Sequence, residues 1–183
     1  IDESLIRRVI RSATINREIV PVMMGSAFKN KGIQPLMNAV CQYLPSPIDR
    51  ASFARDHDNG GTEIPLSSDP DAPMVAMVFK ISDDQFGQLS YTRVYQGKLS
   101  RGGTYINART GKTIRIGRIV RMHAENREDI QDAGPGDIVA LLSVECANGD
   151  TLCGVGINYS LESIFVAEPV ISLSITPATN ADK

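Results

Sequence analysis

The distribution of apolar residues divides the chain into two parts with different periodicities. Near the start, Leu5, Ile6, Val9 and Ile10 recur at helical spacing and predict an amphipathic helix. A second set at helical spacing predicts another helix: Ile33, Leu36, Met37, Val40, Cys41 and Leu44. Two prolines flanking Ser46 end this second helix, and from Pro73 onward the pattern changes to short strands.

A continuous apolar run over residues 19–24 lies between the two helices. Such a run is typical of a buried parallel strand. A helix-strand-helix unit with a single strand cannot cover that strand on both faces. We therefore interpret residues 1–47 as the tail of a larger α/β domain, and we expect the run to lie at an open sheet edge in the isolated chain, with dimerisation or disorder of that region as the result.

Residues 48–72 contain few large apolar side chains, are rich in acids and carry the pair Gly60 and Gly61. This composition predicts a linker or a long surface loop. The residues that follow read as strands separated by glycine turns. The predicted strands cover residues 74–81, 89–95, 104–108, 113–122, 138–144, 151–153 and 170–175.

Short strands at this spacing predict a mainly β fold in the form of a closed antiparallel β-barrel over residues 73–177. Thr110 and Gly111 separate two of the strands and predict a hairpin, and Gly117 predicts a bulge in the second of them. The fold class is then a closed barrel preceded by a helix-strand-helix remnant.

Composition supports a folded protein: 42% of the 183 residues are apolar and 22% are charged. No apolar run approaches the roughly 20 residues of a membrane span, so we expect no membrane association. The chain starts at Ile1 without a signal-peptide pattern, and we expect a processed chain or an excised fragment. Cys41, Cys146 and Cys153 form no C-x-x-C pair, which favours reduced, mostly buried thiols over a disulfide framework or a metal site.

The net charge of −2 hides an uneven distribution. Residues 91–127 carry nine basic side chains and one acid, Glu125, so this segment has a charge of +8 and the rest of the chain −10. Such a segment suits either a polyanion partner or a solvated strand face. We name five candidate RNA-binding residues in it: Arg93, Arg109, Arg115, Arg118 and Arg121.

No catalytic constellation is visible, and the chain has no G-x-x-x-x-G-K-[ST] phosphate loop. The adjacent acids Glu128 and Asp129 are typical of a solvated loop. One loop could bind a ligand, because small residues from Gly25 to Ala27 follow the apolar run directly. Backbone amides at such a position can donate to a ligand, although an ordinary βα turn explains the same pattern.

Several motifs together resemble bacterial-type elongation factor G, and the resemblance covers nearly the whole chain except the linker. They are Val20-Pro21-Val22, Gly-Ser-Ala-Phe-Lys-Asn-Lys-Gly over residues 25–32, Tyr43-Leu44-Pro45-Ser46-Pro47, Phe79-Lys80-Ile81, Arg93-Val94-Tyr95, Ile116-Gly117-Arg118, Met122-His123-Ala124, Gly136-Asp137-Ile138, Gly149-Asp150-Thr151-Leu152 and Glu168-Pro169-Val170-Ile171.

The resemblance implies that residues 1–47 end a GTP-binding domain, that residues 73–177 form the barrel of domain II, and that residues 178–183 start a linker to a third domain. Ser26, Ala27 and Phe28 would match the last guanine-contacting loop. The barrel would contact small-subunit ribosomal RNA and its own GTPase domain, in a cytoplasmic protein. The parent protein would use GTP or GDP with magnesium, whereas we expect no nucleotide or metal to bind this fragment and no catalytic residue in it.

Two stretches depart from the family pattern, at Glu125-Asn126 and at Ser143-Val144-Glu145-Cys146. They favour a divergent branch or paralogue. The alternative function is therefore a protein-interaction barrel of a paralogous translational GTPase, with a ribosome-protection or other non-translocase role.

Overall fold

The computed structural model describes residues 2–84, 87–124 and 126–162. Two helices come first, α1 (Glu3–Ile15) and α2 (Ile33–Tyr43). Thirteen strands follow in the described residues: β1 (Ser52–Asp56), β2 (Thr62–Leu66), β3 (Val75–Asp84), β4 (Gly87–Gln96), β5 (Leu99–Ser100), β6 (Thr104–Asn107), β7 (Thr113–Arg115), β8 (Ile119–His123), β9 (Asn126–Ile130), β10 (Asp132–Ala133), β11 (Ile138–Leu142), β12 (Thr151–Cys153) and β13 (Tyr159–Ser160).

The main sheet has eight antiparallel strands in the order β7-β6-β12-β3-β4-β11-β8-β9. It curls around a core that contains Val78, Val94, Leu99, Ile119 and Leu152, all with no exposed surface. Alternation along the strands produces this core, because every second side chain of a strand points to the same face.

The predicted closure of the barrel is wrong for the described residues. The two edge strands, β7 and β9, have no second partner there, so the sheet is an open, curled half-barrel. The strand predicted over residues 170–175 lies outside the described residues. The predicted mainly β character is confirmed.

The hairpin predicted around Gly111 is confirmed, since Thr104 pairs with Arg115 and Ile106 with Thr113. The bulge predicted at Gly117 is wrong. This glycine lies between β7, which pairs with β6, and β8, which pairs with β11 and β9. It marks the place where the chain leaves one part of the sheet for another.

The prediction of a linker or loop over residues 48–72 also needs correction, because a β-hairpin occupies much of this segment. Strands β1 and β2 pair from Ser52 with Leu66 to Asp56 with Thr62, and Gly60 and Gly61 make the turn with φ values of 71° and 78°. Strand β13 pairs with the other side of β1. The hairpin packs on the outer face of the main sheet, where Ala54 contributes to a cluster with Val75 and Met77.

Both predicted helices are confirmed, but the strand predicted over residues 19–24 is wrong. These residues form no strand, and Val20, Val22 and Met24 are 84%, 87% and 94% exposed. A lone apolar run makes no ladder without neighbouring strands to accept and donate its backbone hydrogen bonds. The helices contact each other, yet their apolar side chains stay half exposed, as Val9 at 59% and Met37 at 62% show.

Candidate nucleic-acid interface and nucleotide loop

The loop that follows the exposed apolar run is closed by a small backbone bridge. Ser26 and Lys31 exchange two backbone hydrogen bonds, of 2.9 and 3.0 Å, and the Asn30 amide donates to the Ala27 carbonyl. Among the described residues, the amides of Ala27 and Phe28 donate to no acceptor. The Phe28 side chain is 99% exposed. The loop therefore presents two unpaired amides and an apolar ring to solvent.

Glycines are required on both sides of this bridge. A Cβ on Gly25 would lie 2.6 Å from the Lys31 carbonyl oxygen, and a Cβ on Gly32 would lie 2.9 Å from the Met24 carbonyl oxygen. Gly32 also has a φ of 76°, which disfavours other residues. The Gly-Ser-Ala pattern thus encodes a tight loop geometry, whether or not a ligand is bound.

Arg109, one of the five candidate arginines, has a side chain that is 59% exposed, but its guanidinium contacts a buried polar network around Asp150. Its Nε and Nη2 donate to Asp150 at 2.5 and 3.0 Å, and Asp150 is almost fully buried. Asp150 also accepts from the Asn107 side chain and from the Ala147 amide. Burial raises the pKa of Asp150, but these donors outweigh it and hold the pKa below its ordinary value. The guanidinium of Arg109 is therefore occupied by a structural contact.

Arg118 and Arg121 pair with acids on β9. Arg118 makes a bidentate contact with Asp129 at 2.5 and 2.8 Å, and Arg121 lies 3.6 Å from Glu128. The hydrogen bond from Arg118 lowers the pKa of Asp129. All four side chains are about half exposed or more, so water screens these pairs and a phosphate could compete for the arginines.

Arg115, by contrast, is exposed at the end of β7 and has no ion-pair partner in the described part of the chain. Arg93 lies on β4, is half buried and stacks on Tyr95, with its guanidinium carbon 4.8 Å from the ring centroid. The five candidates thus occupy three settings: the Asp150 network, the outer side of β4, and the continuous stretch from β7 to β8. In the sheet, β4 and β8 are separated by one strand, β11.

The charge asymmetry of the sequence is partly cancelled in space. Among the described residues, Arg109, Lys112, Arg118 and Arg121 lie within 4 Å of acids that come later in the chain, and Lys112 is 3.7 Å from Glu145. Sequence reasoning missed these partners because sheet pairing, rather than sequence distance, brings them together. The Gly149-Asp150 turn was visible in the sequence, but nothing there showed that its carboxylate is buried.

The described residues include no group of three or more side chains that could hold a metal ion. None of the helices in the part of the chain with a described structure is long and apolar enough to cross a membrane.

Comparison with known families gives a match over most of the curled sheet. Residues 73–155 match the family model described as elongation factor G domain 2. A crystal structure of a protein from Thermus thermophilus has a similar fold, with a TM-score of 0.58 and 21% sequence identity over 83% of this chain and 20% of that one.

Curated relatives match the chain over 94% to 100% of its length. Elongation factor G of Rhodopirellula baltica is 50% identical over 182 residues, which are 100% of this chain and 26% of the relative. Elongation factor G 1 of Borrelia garinii subsp. bavariensis is 52% identical over 94% of this chain and 25% of its own length. The mitochondrial elongation factor G-1 of Arabidopsis thaliana is 46% identical over 98% and 24%. The chain therefore spans about a quarter of the length of these relatives.

Proposed function

Since the chain belongs to the elongation factor G family, we propose that it is part of a translational GTPase that binds the ribosome and promotes GTP-dependent translocation of tRNA and mRNA. In this proposal the curled sheet supplies the surface that contacts small-subunit ribosomal RNA. The observation that supports it most is the identity of about half the residues over the whole chain with proteins named elongation factor G. The cytoplasm is the compartment where such a protein would act.

The RNA surface that we propose runs along β7 and β8 and uses Arg115, Arg118 and Arg121. Arg115 is exposed and unpaired among the described residues, and the other two arginines have exposed, screened partners that RNA phosphates can replace. Arg93 and Arg109 are weaker candidates than the sequence suggested, because one is half buried and the other is held by Asp150.

Salt dependence of ribosome binding tests this surface in the full-length protein. Each phosphate contact contributes roughly 0.7 to 0.9 to the slope of log affinity against log salt. We expect Arg115→Gln and Arg121→Gln each to reduce that slope. Arg55→Gln, an exposed arginine on β1, is the matched control for a lost charge. Equal slopes for all three variants would contradict the assignment.

We propose that the loop of Ser26, Ala27 and Phe28 contacts guanine in the parent protein, which would use GTP or GDP with magnesium. The two unpaired amides support this role, since a backbone N–H can donate to the base oxygen of guanine. The loop alone offers no phosphate-binding element, and the sequence contains no phosphate loop. We therefore expect no saturable GTP binding by the 183-residue chain in calorimetry, and a micromolar dissociation constant would contradict this.

A protein-interaction barrel of a paralogous GTPase is the second candidate. The acid partners of Arg109, Lys112, Arg118 and Arg121 favour it, because basic side chains that already pair with carboxylates within the chain can also pair with carboxylates of another protein. Charge reversal by Arg118→Glu in the full-length protein separates the two. Loss of docking to the GTPase domain with unchanged ribosome affinity would favour the second candidate.

A further inference from the structure

We propose that a cleft between the β1–β2 hairpin and β4 binds a phosphate monoester through Arg93 and Arg50. The cleft has a volume of about 320 Å³. We call it the Arg93 cleft. Its lining includes Ile48, Arg50, Leu66, Ser68, Arg93 and Tyr95. None of its described lining residues belongs to β7 or β8, and the proposal does not depend on the proposed role at the ribosome.

The first argument is the state of the Arg93 guanidinium. Its Nε is buried and has no hydrogen-bond partner, and it is the one buried side-chain polar atom in this condition among the described residues. No acid in those residues forms an ion pair with Arg93, unlike Arg109, Arg118 and Arg121. A charged group without a counter-ion is costly in a partly buried position. An anion in the cleft would supply the opposite charge and would accept from those guanidinium N–H groups that face the cleft.

The second argument is that Arg93 is held in place without an anion. Arg93 and Tyr95 are two residues apart on β4, so their side chains lie on the same face of the strand. The guanidinium carbon lies 4.8 Å from the centroid of the Tyr95 ring. This stacking uses one flat face of the guanidinium and leaves the N–H groups at its rim for a ligand. The Arg93 guanidinium is therefore ordered before a ligand binds, which lowers the entropic cost of binding.

The third argument concerns charge and shape. Arg50 and Arg93 give the cleft two positive charges, and no acid is among its lining residues in the described part of the chain. The Arg50 Nη1 also donates a long hydrogen bond, of 3.5 Å, to the Ile15 carbonyl, which an anion would have to replace or tolerate. A phosphate monoester carries a charge of about −1.5 to −2 at neutral pH and matches both arginines, whereas a carboxylate or a phosphodiester carries about one charge. Ile48, Leu66 and the Tyr95 ring provide apolar surface for a small organic group attached to the phosphate. The volume lies at the small end of the range of ligand pockets, roughly 300 to 1,000 Å³.

The test follows the Nε–H signals of the arginines by NMR while phenyl phosphate is added to the ¹⁵N-labelled 183-residue chain at constant ionic strength. Inorganic phosphate is the second probe, and a short single-stranded RNA without a terminal phosphate is the third. We expect a saturable shift of the Arg93 Nε–H signal with phenyl phosphate. Arg50→Gln and Arg93→Gln should each weaken binding about tenfold or more, since hydrogen bonds to charged groups are lost.

Arg55→Gln is the control for the loss of one exposed positive charge, because Arg55 is exposed on β1 and does not line the cleft, and it should leave the affinity for phenyl phosphate unchanged. Arg50 is exposed, so Arg50→Gln tests the cleft even if Arg93→Gln fails to fold. The proposal is overturned if phenyl phosphate shifts no arginine signal in the cleft, or if all three variants bind it equally. Tighter binding of the RNA than of phenyl phosphate at Arg93 would also overturn it, by making the cleft a phosphodiester site.

Discussion

At the residue scale, Asp150 shows how a charge can stabilise this fold from a buried position. It sits at the turn that enters β12 and accepts hydrogen bonds from Arg109, Asn107 and the Ala147 amide. Its partners come from the end of β6, from the β6–β7 connection and from the loop before β12. One carboxylate therefore ties together distant segments of the chain, since Asn107 and Asp150 are separated by 43 positions.

Replacing this carboxylate by Asp150→Asn should lower the free energy of unfolding by about 2–4 kcal/mol, because a side-chain amide cannot accept from all these donors and leaves buried ones unpaired. Urea unfolding measures the loss. Asp129→Asn, which removes an exposed acid paired with Arg118, is the control and should have a much smaller effect. Equal losses in the two variants would contradict the role of burial.

The same residue predicts a dependence of stability on pH. The pKa of Asp150 in the folded chain lies below its ordinary value of 3.8. Its contribution is therefore complete above the unfolded pKa and is lost as the pH falls through the folded one. The difference in urea midpoint between the natural chain and Asp150→Asn should be constant from pH 7 to about pH 5 and shrink below about pH 4. If the difference in urea midpoint instead grew towards acid pH, the pKa of Asp150 in the folded chain would have to lie above its ordinary value, and the prediction would be wrong.

We expect the three cysteines to differ in reactivity, because they differ in burial and in the charges that surround them. The expectation of mostly buried thiols holds for Cys153, which is buried, and in part for Cys146, but Cys41 on α2 is exposed. Burial raises the pKa of Cys146 to about 12, with the Asp150 carboxylate adding to the effect, and burial also raises the pKa of Cys153.

Because the thiolate is the nucleophile, we expect a disulfide reagent at pH 8 to modify one thiol per chain rapidly in the folded state. Cys41→Ser should abolish this fast phase, whereas Cys146→Ser should leave it intact. Denaturation in urea should make all three thiols reactive. A fast phase that survives Cys41→Ser would show that a second thiol is accessible.

At the scale of elements, the β1–β2 hairpin and its connection to β3 depend on the end of β4. The Gln96 side chain accepts from the Ser67 amide and donates to the Pro73 carbonyl, at 2.9 and 3.0 Å. The Gly97 amide donates to the Asp69 carbonyl at 2.9 Å. The end of β4 is thus hydrogen-bonded to the segment that connects the β1–β2 hairpin to β3.

Gly97 has no room for a side chain at this crossing. Its φ is 69°, and a Cβ would lie 2.5 Å from both the Ala72 carbonyl oxygen and the Met74 Cα. Gly97→Ala should therefore cost more than about 3 kcal/mol of stability, by strain and by displacement of backbone. Gly111→Ala is the matched control, because Gly111 has a φ of 68° but open space around it, and it should cost only about 1–2 kcal/mol. Thermal or urea unfolding that ranks the two variants equally would contradict the close contact.

At the scale of the whole molecule, the described residues pack very unevenly. The curled sheet has a continuous core, whereas Ala39 is the single buried residue in the two helices. Leu5, Ile6, Val9, Leu36 and Met37 are between 44% and 62% exposed on those helices. An apolar surface of this kind is usually covered by other protein in a stable assembly.

We expect residues 19–24 and the two helices to exchange their amide hydrogens far faster than β3, β4 and β11 in the isolated chain, unless the chain dimerises through them. Hydrogen exchange at two protein concentrations tests this, because protection by a dimer rises with concentration. Replacing Val20 and Val22 by Ser should weaken any such dimer without affecting protection of the sheet. Strong protection of residues 19–24 in a proven monomer would contradict the prediction.

The sequence alone determined the elements whose signals are local. Both helices followed from apolar spacing, most strands of the main sheet from apolar runs and glycine turns, and the β6–β7 hairpin from its Thr-Gly turn. Strand β9 was missed, because its acids Glu128 and Asp129 were interpreted as a solvated loop, whereas they pair with β8 in the sheet. The family followed from motifs such as those over residues 25–32 and 149–152, and the comparisons confirm it. The helices, strands and turn could be predicted because backbone periodicity and the conformational preferences of turn residues depend on only a few neighbouring residues.

Tertiary structure decided everything that depends on partners distant in the chain. The hairpin at residues 52–66 was missed because each of its strands has few apolar residues. These residues stabilise the hairpin only when they pack on Val75 and Met77 of the main sheet. The strand predicted over residues 19–24 failed because a strand exists only beside another strand. In the sequence, residues 91–127 form a segment of strong positive charge. In the folded chain, Asp150, Asp129 and Glu128 pair with three of its arginines, whereas Arg93 has no acid partner among the described residues. Coulombic contacts depend on distance in space, and distance in space is fixed only when the sheet forms.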